Sequence, residues 1–366
     1  MRYRGIWLGI GALAATAALP TSTALAAAGA WSVVAAPNPA VQFTYLQSVD
    51  ASSNSDGWAV GYVQPPSGPP FQPVALHWNG TSWSDVAVPQ LGNDGTLLMG
   101  VSSSQASDTW AVGYSLNQAP GYRIAENPVA VHWNGTAWTA STVPDTPYLF
   151  GVADVSPASA WAIGLGVKHW DGTAWSDVAT PSPNPSGVGP GNLLGISART
   201  ASDVWAVGTF APARHQTASF ALHFDGAAWQ LVPTPAGTTL DSVVAVGPGD
   251  AWAAGSFNGT NQPVTEHWNG TAWSLVTTPA VPNGGSLHSI TARASNDVWA
   301  VGLAFTGQAN TVHPLTMHWN GSAWSIVTSP PATSAQALGV SGRPGTTHTW
   351  ATGTQDPGVA LILERH

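Results

Sequence analysis

Short apolar runs rich in Val, Ala, Leu and Trp alternate along the chain with clusters of Gly, Pro, Asn and Asp. The runs are four to seven residues long. They are too short for helices, and their β-branched and aromatic content favours strands. The runs also repeat. Asp-x-Trp-Ala-Val-Gly recurs with its Trp at Trp58, Trp110, Trp161, Trp205, Trp252, Trp299 and Trp350, at intervals of 44 to 52 residues. A second segment, His-Trp-Asn-Gly-Thr-x-Trp, follows the first six, with His77, His132, His169, His223, His267 and His318. It closes on Trp83, Trp138, Trp175, Trp229, Trp273 and Trp324. A third, as in Leu98-Met-Gly-Val101 and Leu287-His-Ser-Ile290, precedes each Trp-Ala-Val-Gly.

Each repeat thus supplies four strands. Strand A is the Leu-x-Gly/Ser-Val/Ile segment, strand B Trp-Ala-Val-Gly, strand C the run ending in His-Trp, and strand D the run opening with Trp. Asn79-Gly80 and its counterparts link C to D. Asn-Gly favours a tight primed hairpin, because both residues tolerate positive φ. Four strands in every 44 to 52 residues mark a propeller blade. The seventh repeat has strand B at Trp350 and a strand C candidate at Val359-Leu363, with no strand D after it. Ala30-Trp31-Ser32-Val33-Val34 matches the missing strand. The prediction is an all-β, seven-bladed β-propeller whose last blade is closed by the N-terminal strand, which removes the exposed sheet edge.

Of the 20 Trp, seven fall in strand B, seven in strand D and five in strand C, and Trp7 lies ahead of the repeats. Phe224 and Leu363 are expected in the other two strand C places. The repeated Trp therefore read as packing between blades. The repeated His read as partners of an Asp or Ser at the turn. Asp56, Asp108, Asp203, Asp250 and Asp297 suit turn caps that accept backbone N–H groups.

Residues 1–28 combine a basic head (Arg2, Arg4), an apolar run from Gly5 to Pro20 and Ala24-Leu25-Ala26, the pattern of a secretory signal peptide. The expected mature domain is residues 29–366, secreted and without a membrane span. Charged residues make up only 7% of the chain. Removing Arg2 and Arg4 leaves seven basic residues against 18 acidic ones, a net charge of −11. That balance argues against a nucleic-acid partner. With no Cys, disulfides and thiolate chemistry are excluded. No cofactor is expected. No metal site is expected either, since the six strand C His lie on six different blades.

The Asp-x-Trp-Ala-Val-Gly and His-Trp-Asn-Gly-x-x-Trp segments resemble those of secreted bacterial repeat proteins. More distantly the design is similar to that of propeller lectins, which place sugar pockets between blades. The resemblance implies the architecture and leaves the ligand open. The chain lacks the WD40, kelch and sialidase signatures.

Function is expected on the face carrying the B–C and D–A links, which vary while the C–D turns stay uniform. The candidates there are Tyr122, Arg123 and Glu126 in blade 2, Arg214 and His215 in blade 4, and His313 in blade 6. The second residue of each strand A adds Gln47, Met99, Phe150, Leu194, Asp241, His288 and Leu338. Asp241 and His288 fall on adjacent blades. One reading is a binding module for extracellular glycan or a protein surface, with Tyr45, Tyr62, Tyr114, Tyr122 and Tyr148 offering aromatic faces. The alternative is a lyase-like polysaccharide-acting enzyme using Tyr122, Arg123, Arg214 and His215. Glu126, Glu266 and Glu364 are the only Glu, which leaves little for a two-carboxylate glycosidase.

Overall fold

The structure is a computed structural model that describes residues 30–37, 43–66, 68, 70–119, 123–144, 146–184, 191–308, 311–330 and 334–366; the side chains at 118–119 and 123–126 are not described. The expected signal peptide lies outside these residues. The described residues form 28 strands in seven antiparallel four-stranded sheets, with no helix. Each sheet runs A-B-C-D in chain order, except the last. There Ser32–Val33 pairs with Val359–Arg365, in register Ser32↔Glu364 and Val33↔Leu363. The strands A touch their neighbours from blade to blade and close a ring. The chain is a seven-bladed β-propeller, sealed by its N-terminal strand.

Seven hydrophobic clusters hold the wheel together, one at each junction. Between blades 1 and 2, Trp58, Val60 and Ala75 meet Leu98, Val101, Ala111, Val129, Val131 and Trp138. Strand B is buried on both faces, because it packs on a blade at each side. Its Trp is the centre of a repeated cluster. The Trp58 ring lies 4.4 Å from His77 of its own blade, 4.8 Å from Trp133 and 4.9 Å, edge-on at 79°, from Trp138 of the next. Burying one such indole removes 150–250 Å², about 4–6 kcal/mol as an upper figure. The last junction repeats the perpendicular contact with Trp31 against Trp299, at 5.6 Å and 87°.

The strand C His are tied to the turn acids: His77–Asp56 at 2.8 Å, His223–Asp203 at 2.8 Å and His267–Asp250 at 2.9 Å, with Ser159 serving His169 at 3.1 Å. The acids accept from side chains rather than capping backbone N–H groups. Burial would raise the Asp56 carboxyl, but hydrogen bonds from His77 and Ser52 hold it below its ordinary value. Blade 7 departs from the pattern. Its register pairs Thr349 with Arg365 and Trp350 with Glu364. Arg365, not Leu363, therefore takes the strand C Trp place, and its guanidinium lies 4.3 Å above the Trp299 ring. Glu364 takes the His place and His348 the Asp place, so acid and base have exchanged strands.

The C–D links are not two-residue primed turns. Four residues separate Trp78 from Trp83, and only the Gly has positive φ, 92° at Gly80. The Asn79 Oδ1 accepts the backbone N–H of Thr81 and Ser82 and the Thr81 hydroxyl, at 2.8–3.0 Å. The side chain replaces the cross-turn hydrogen bonds of a tighter loop. The same contacts in blade 3, led by the Thr173 hydroxyl, hold the exposed Asp171 carboxyl down at about 2. Elsewhere, Glu266 is buried in strand C of blade 5, with Oε1 accepting the Thr238 hydroxyl at 3.0 Å. Burial pushes its carboxyl up to about 7.

Candidate functional site

The inner ring has a repeated irregularity. Every strand A carries a β-bulge, between Leu46 and Ser48 in blade 1 and at the equivalent step in all seven. The extra residues are Gln47, Met99, Phe150, Leu194, Asp241, His288 and Leu338, all half-buried. A bulge leaves one residue unpaired and re-aims its side chain. Two kinds of small residue permit it. The strand B Gly lies opposite, and a Cβ on Gly208 would stand 1.9 Å from the Asn192 carbonyl oxygen. Gly61, Gly113, Gly164, Gly255, Gly302 and Gly353 meet the same obstruction at 1.8–2.2 Å. On the other side of the bulge, a Ser or Gly lets adjacent strands A approach. The Ser48, Ser242 and Ser289 hydroxyls accept the N–H of Val101, Ile290 and Val340 from the next blade. Where Gly stands, as at Gly195, a Cβ would lie 2.6 Å from the Ser242 Cα.

The bulged residue differs far more in chemistry from blade to blade than the Leu or Ala before it and the Ser or Gly after it. Asp241 and His288 meet across the junction of blades 5 and 6, with Oδ2 3.6 Å from Nδ1. Their side chains are 29% and 28% exposed, and the Ser286 hydroxyl lies 3.2 Å from the His288 Nε2. Together they offer an acceptor and a donor to a bound molecule.

Aromatic rings line the same face, at the starts of strands A and C and the ends of strands B. Tyr45 stacks on Tyr62 at 5.1 Å and 26°, and Phe71 meets Tyr62 edge-on at 6.0 Å. Burial, then the nearby Tyr114 and Tyr45 hydroxyls, push the Tyr62 phenol up. In blade 3, Tyr148 packs on Phe150 at 4.6 Å and donates to the Asn192 Oδ1 at 2.9 Å. These tyrosines are half-buried and spend part of their faces on one another.

The remaining expected residues are dispersed. Tyr122 lies outside the described residues, as do the side chains of Arg123 and Glu126. The backbone of those two belongs to strand C of blade 2, Arg123–Trp133, which forms a long hairpin with Asp108–Ala119. Arg214 and His215 stand on an exposed turn, where His215 has φ 64°. His313 is exposed, opposite Ala304. Among the described residues, no hydrogen bond or ion pair joins Arg214, His215 or His313 to the Asp241–His288 pair.

Sequence reasoning missed a cavity of about 600 Å³ on the opposite face, between blades 6 and 7. Arg293, Asp297, His318, Arg365 and His366 help to line it. At the other six junctions a strand C indole or Phe packs where Arg365 lies here. The signal was available in the sequence, as the seventh repeat's departure from His-Trp.

No protein-family model and no curated protein matches the sequence. Solved propellers do match in shape. YCF48 bound to D1 peptide is 16% identical, with TM-score 0.57, covering 92% of this chain and 94% of that one. The GH74 xyloglucanase from Xanthomonas campestris is 11% identical, with TM-score 0.55, and the match spans 91% of this chain and 55% of the xyloglucanase. The β-propeller domain of Cps50 (Swd1) from Myceliophteria thermophila is 8% identical, with TM-score 0.55, over 91% of this chain and 98% of that one. At these identities the likeness establishes one thing, the β-propeller fold.

Proposed function

We propose that the protein is a secreted binding module that recognises extracellular glycan through the face of variable loops. One observation carries this reading. Seven backbone positions with the same geometry, the bulges of the inner ring, hold six residue types: Gln, Met, Phe, Leu, Asp and His. The repeats agree wherever packing dictates the residue, as at the strand B Trp and Gly. They diverge where packing does not, and a rigid frame with diversified positions is how propellers and other scaffolds build recognition. Aromatic rings beside neutral hydrogen-bonding groups suit sugar C–H faces and hydroxyls. The low charge fits a neutral ligand better than a polyanion. Similar propellers include one bound to a peptide and one xyloglucanase, so a protein surface is the second ligand class.

The test is a glycan array followed by titration calorimetry, with Asp241→Ala and His288→Ala as variants. A glycan class should be retained, and each variant should weaken it at least about tenfold, the loss expected for one hydrogen-bonding group in a binding site. Thr271→Ala, in a C–D turn of the opposite face, should bind as the parent does. Retention of no glycan, or binding indifferent to both ring variants, refutes the reading. Uronate polymers belong in the panel. Their cleavage, lost on replacing Arg214 and His215, would establish the lyase-like alternative instead.

A further inference from the structure

Blade 7 exchanges the acid and base of the repeated pair, and the exchange gathers a third ligand. In the six other blades, one His faces one Asp or Ser. In blade 7, the His348 Nδ1 lies 2.6 Å from the Glu364 Oε1, and the His366 Nε2 lies 3.5 Å from the same oxygen. The two imidazole rings are 4.5 Å apart at 70°. One ligand atom from each of the three residues falls within 4.8 Å of the other two. Pairing of Trp350 with Glu364 sets this arrangement, because it brings His348, Glu364 and His366 to one end of one hairpin.

We infer that His348, Glu364 and His366 bind a divalent cation of the zinc class, and that this ion fastens the closure of the ring. Two imidazoles and one carboxylate form a recognised ligand set for such ions, with bonds of about 2.0–2.2 Å. Ligand atoms of a tetrahedral site then stand about 3.3–3.5 Å apart. The Glu364–His366 separation already has that value. The His348–Glu364 hydrogen bond opens as the ion replaces the shared proton. His366 has a side chain 63% exposed, so it can swing inward. His366 also lines the 600 Å³ cavity, which gives the fourth coordination position access to water or to a carboxylate ligand. Glu364 links the ion to the closure. Its residue pairs with Ser32, its carbonyl accepts the Ser32 hydroxyl at 3.3 Å, and the Val34 N–H reaches Ile362 at 2.9 Å.

The experiment is calorimetric titration of Zn²⁺ into chelator-stripped protein at pH 7.5, with Co²⁺ absorption as a second readout. One saturable site per chain is expected. His366→Ala, at an exposed position that the fold does not need, should weaken it at least tenfold and abolish the Co²⁺ d–d bands. Glu364→Gln and His348→Ala should remove saturable binding. His77→Gln, in an ordinary pair, should bind as the parent does. Amide exchange of residues 32–34 should slow at least tenfold on adding Zn²⁺. The absence of a saturable site, or affinity unchanged in His366→Ala and Glu364→Gln, overturns the site. Unchanged exchange at residues 32–34 overturns the fastening role.

Discussion

Replacing Trp31 by Ala tests the closure of the wheel most directly. The N-terminal strand of the last blade is short. It holds on through the pairs Ser32↔Glu364 and Val33↔Leu363 and the Val34 hydrogen bond, so its side chain must supply most of the grip. Trp31 is 4% exposed and packs with Val301, Ala335, Ala337, Val340, Leu361 and Leu363. Truncating a buried Trp costs about 3–5 kcal/mol. About 0.5–1.5 kcal/mol of that comes from the perpendicular contact with Trp299. Trp324 supplies an internal standard, since it occupies the same place in blade 6 and meets Trp252 at 5.6 Å and 81°. Trp31→Ala and Trp324→Ala should therefore lose equal stability, within about 1 kcal/mol, in urea unfolding followed by far-ultraviolet circular dichroism. A loss below about 1 kcal/mol for Trp31→Ala, beside a full loss for Trp324→Ala, would show that the amino end does not close the ring.

Two further perturbations probe other parts of the frame. Gly208→Ala places a methyl 1.9 Å from the Asn192 carbonyl and should cost about 2–3 kcal/mol or more, whereas Gly237→Ala, at φ 85° with open space around it, should cost about 1–2 kcal/mol. Equal thermal shifts for the two would refute the obstruction at the bulge. Glu266 has a folded carboxyl raised from 4.5 to about 7, so the fold takes up its proton preferentially. Its contribution is present below pH 4.5 and is lost as pH rises through about 7, a change of about 3 kcal/mol. Glu266→Gln lacks this loss. It should gain on the parent between pH 4 and pH 8 in denaturant titrations, and a constant difference across that range would refute the assignment.

The sevenfold wheel and its closure were legible because each junction uses the same indoles at the same spacing, and Trp31 carries that signature. The bulges were not legible. An extra residue in strand A is invisible to a period of two, and its cause sits in another strand, as the Gly208 opposite Leu193 shows. The C–D turn was misjudged for a similar reason. Asn79-Gly80 fits a two-residue hairpin, but the Asn79 side chain closes a wider loop through Thr81 and Ser82. In blade 7, spacing pointed to Leu363, while strand pairing decides for Arg365. Asp241 and His288 were legible as neighbours because strands A adjoin in order. Arg214 and His215 belong to a loop whose path no repeat constrains.

The indole clusters have an optical consequence. Strand B, C and D rings stand 4.8–6.0 Å apart at every junction that has all three. Transition dipoles that close mix their excited states, so absorbed light is shared among chromophores instead of staying on one. Near-ultraviolet circular dichroism should show a strong coupled doublet, and fluorescence anisotropy should be depolarised in the native protein. Emission therefore reports the whole circle at once, and following a single junction by light requires a label of another colour.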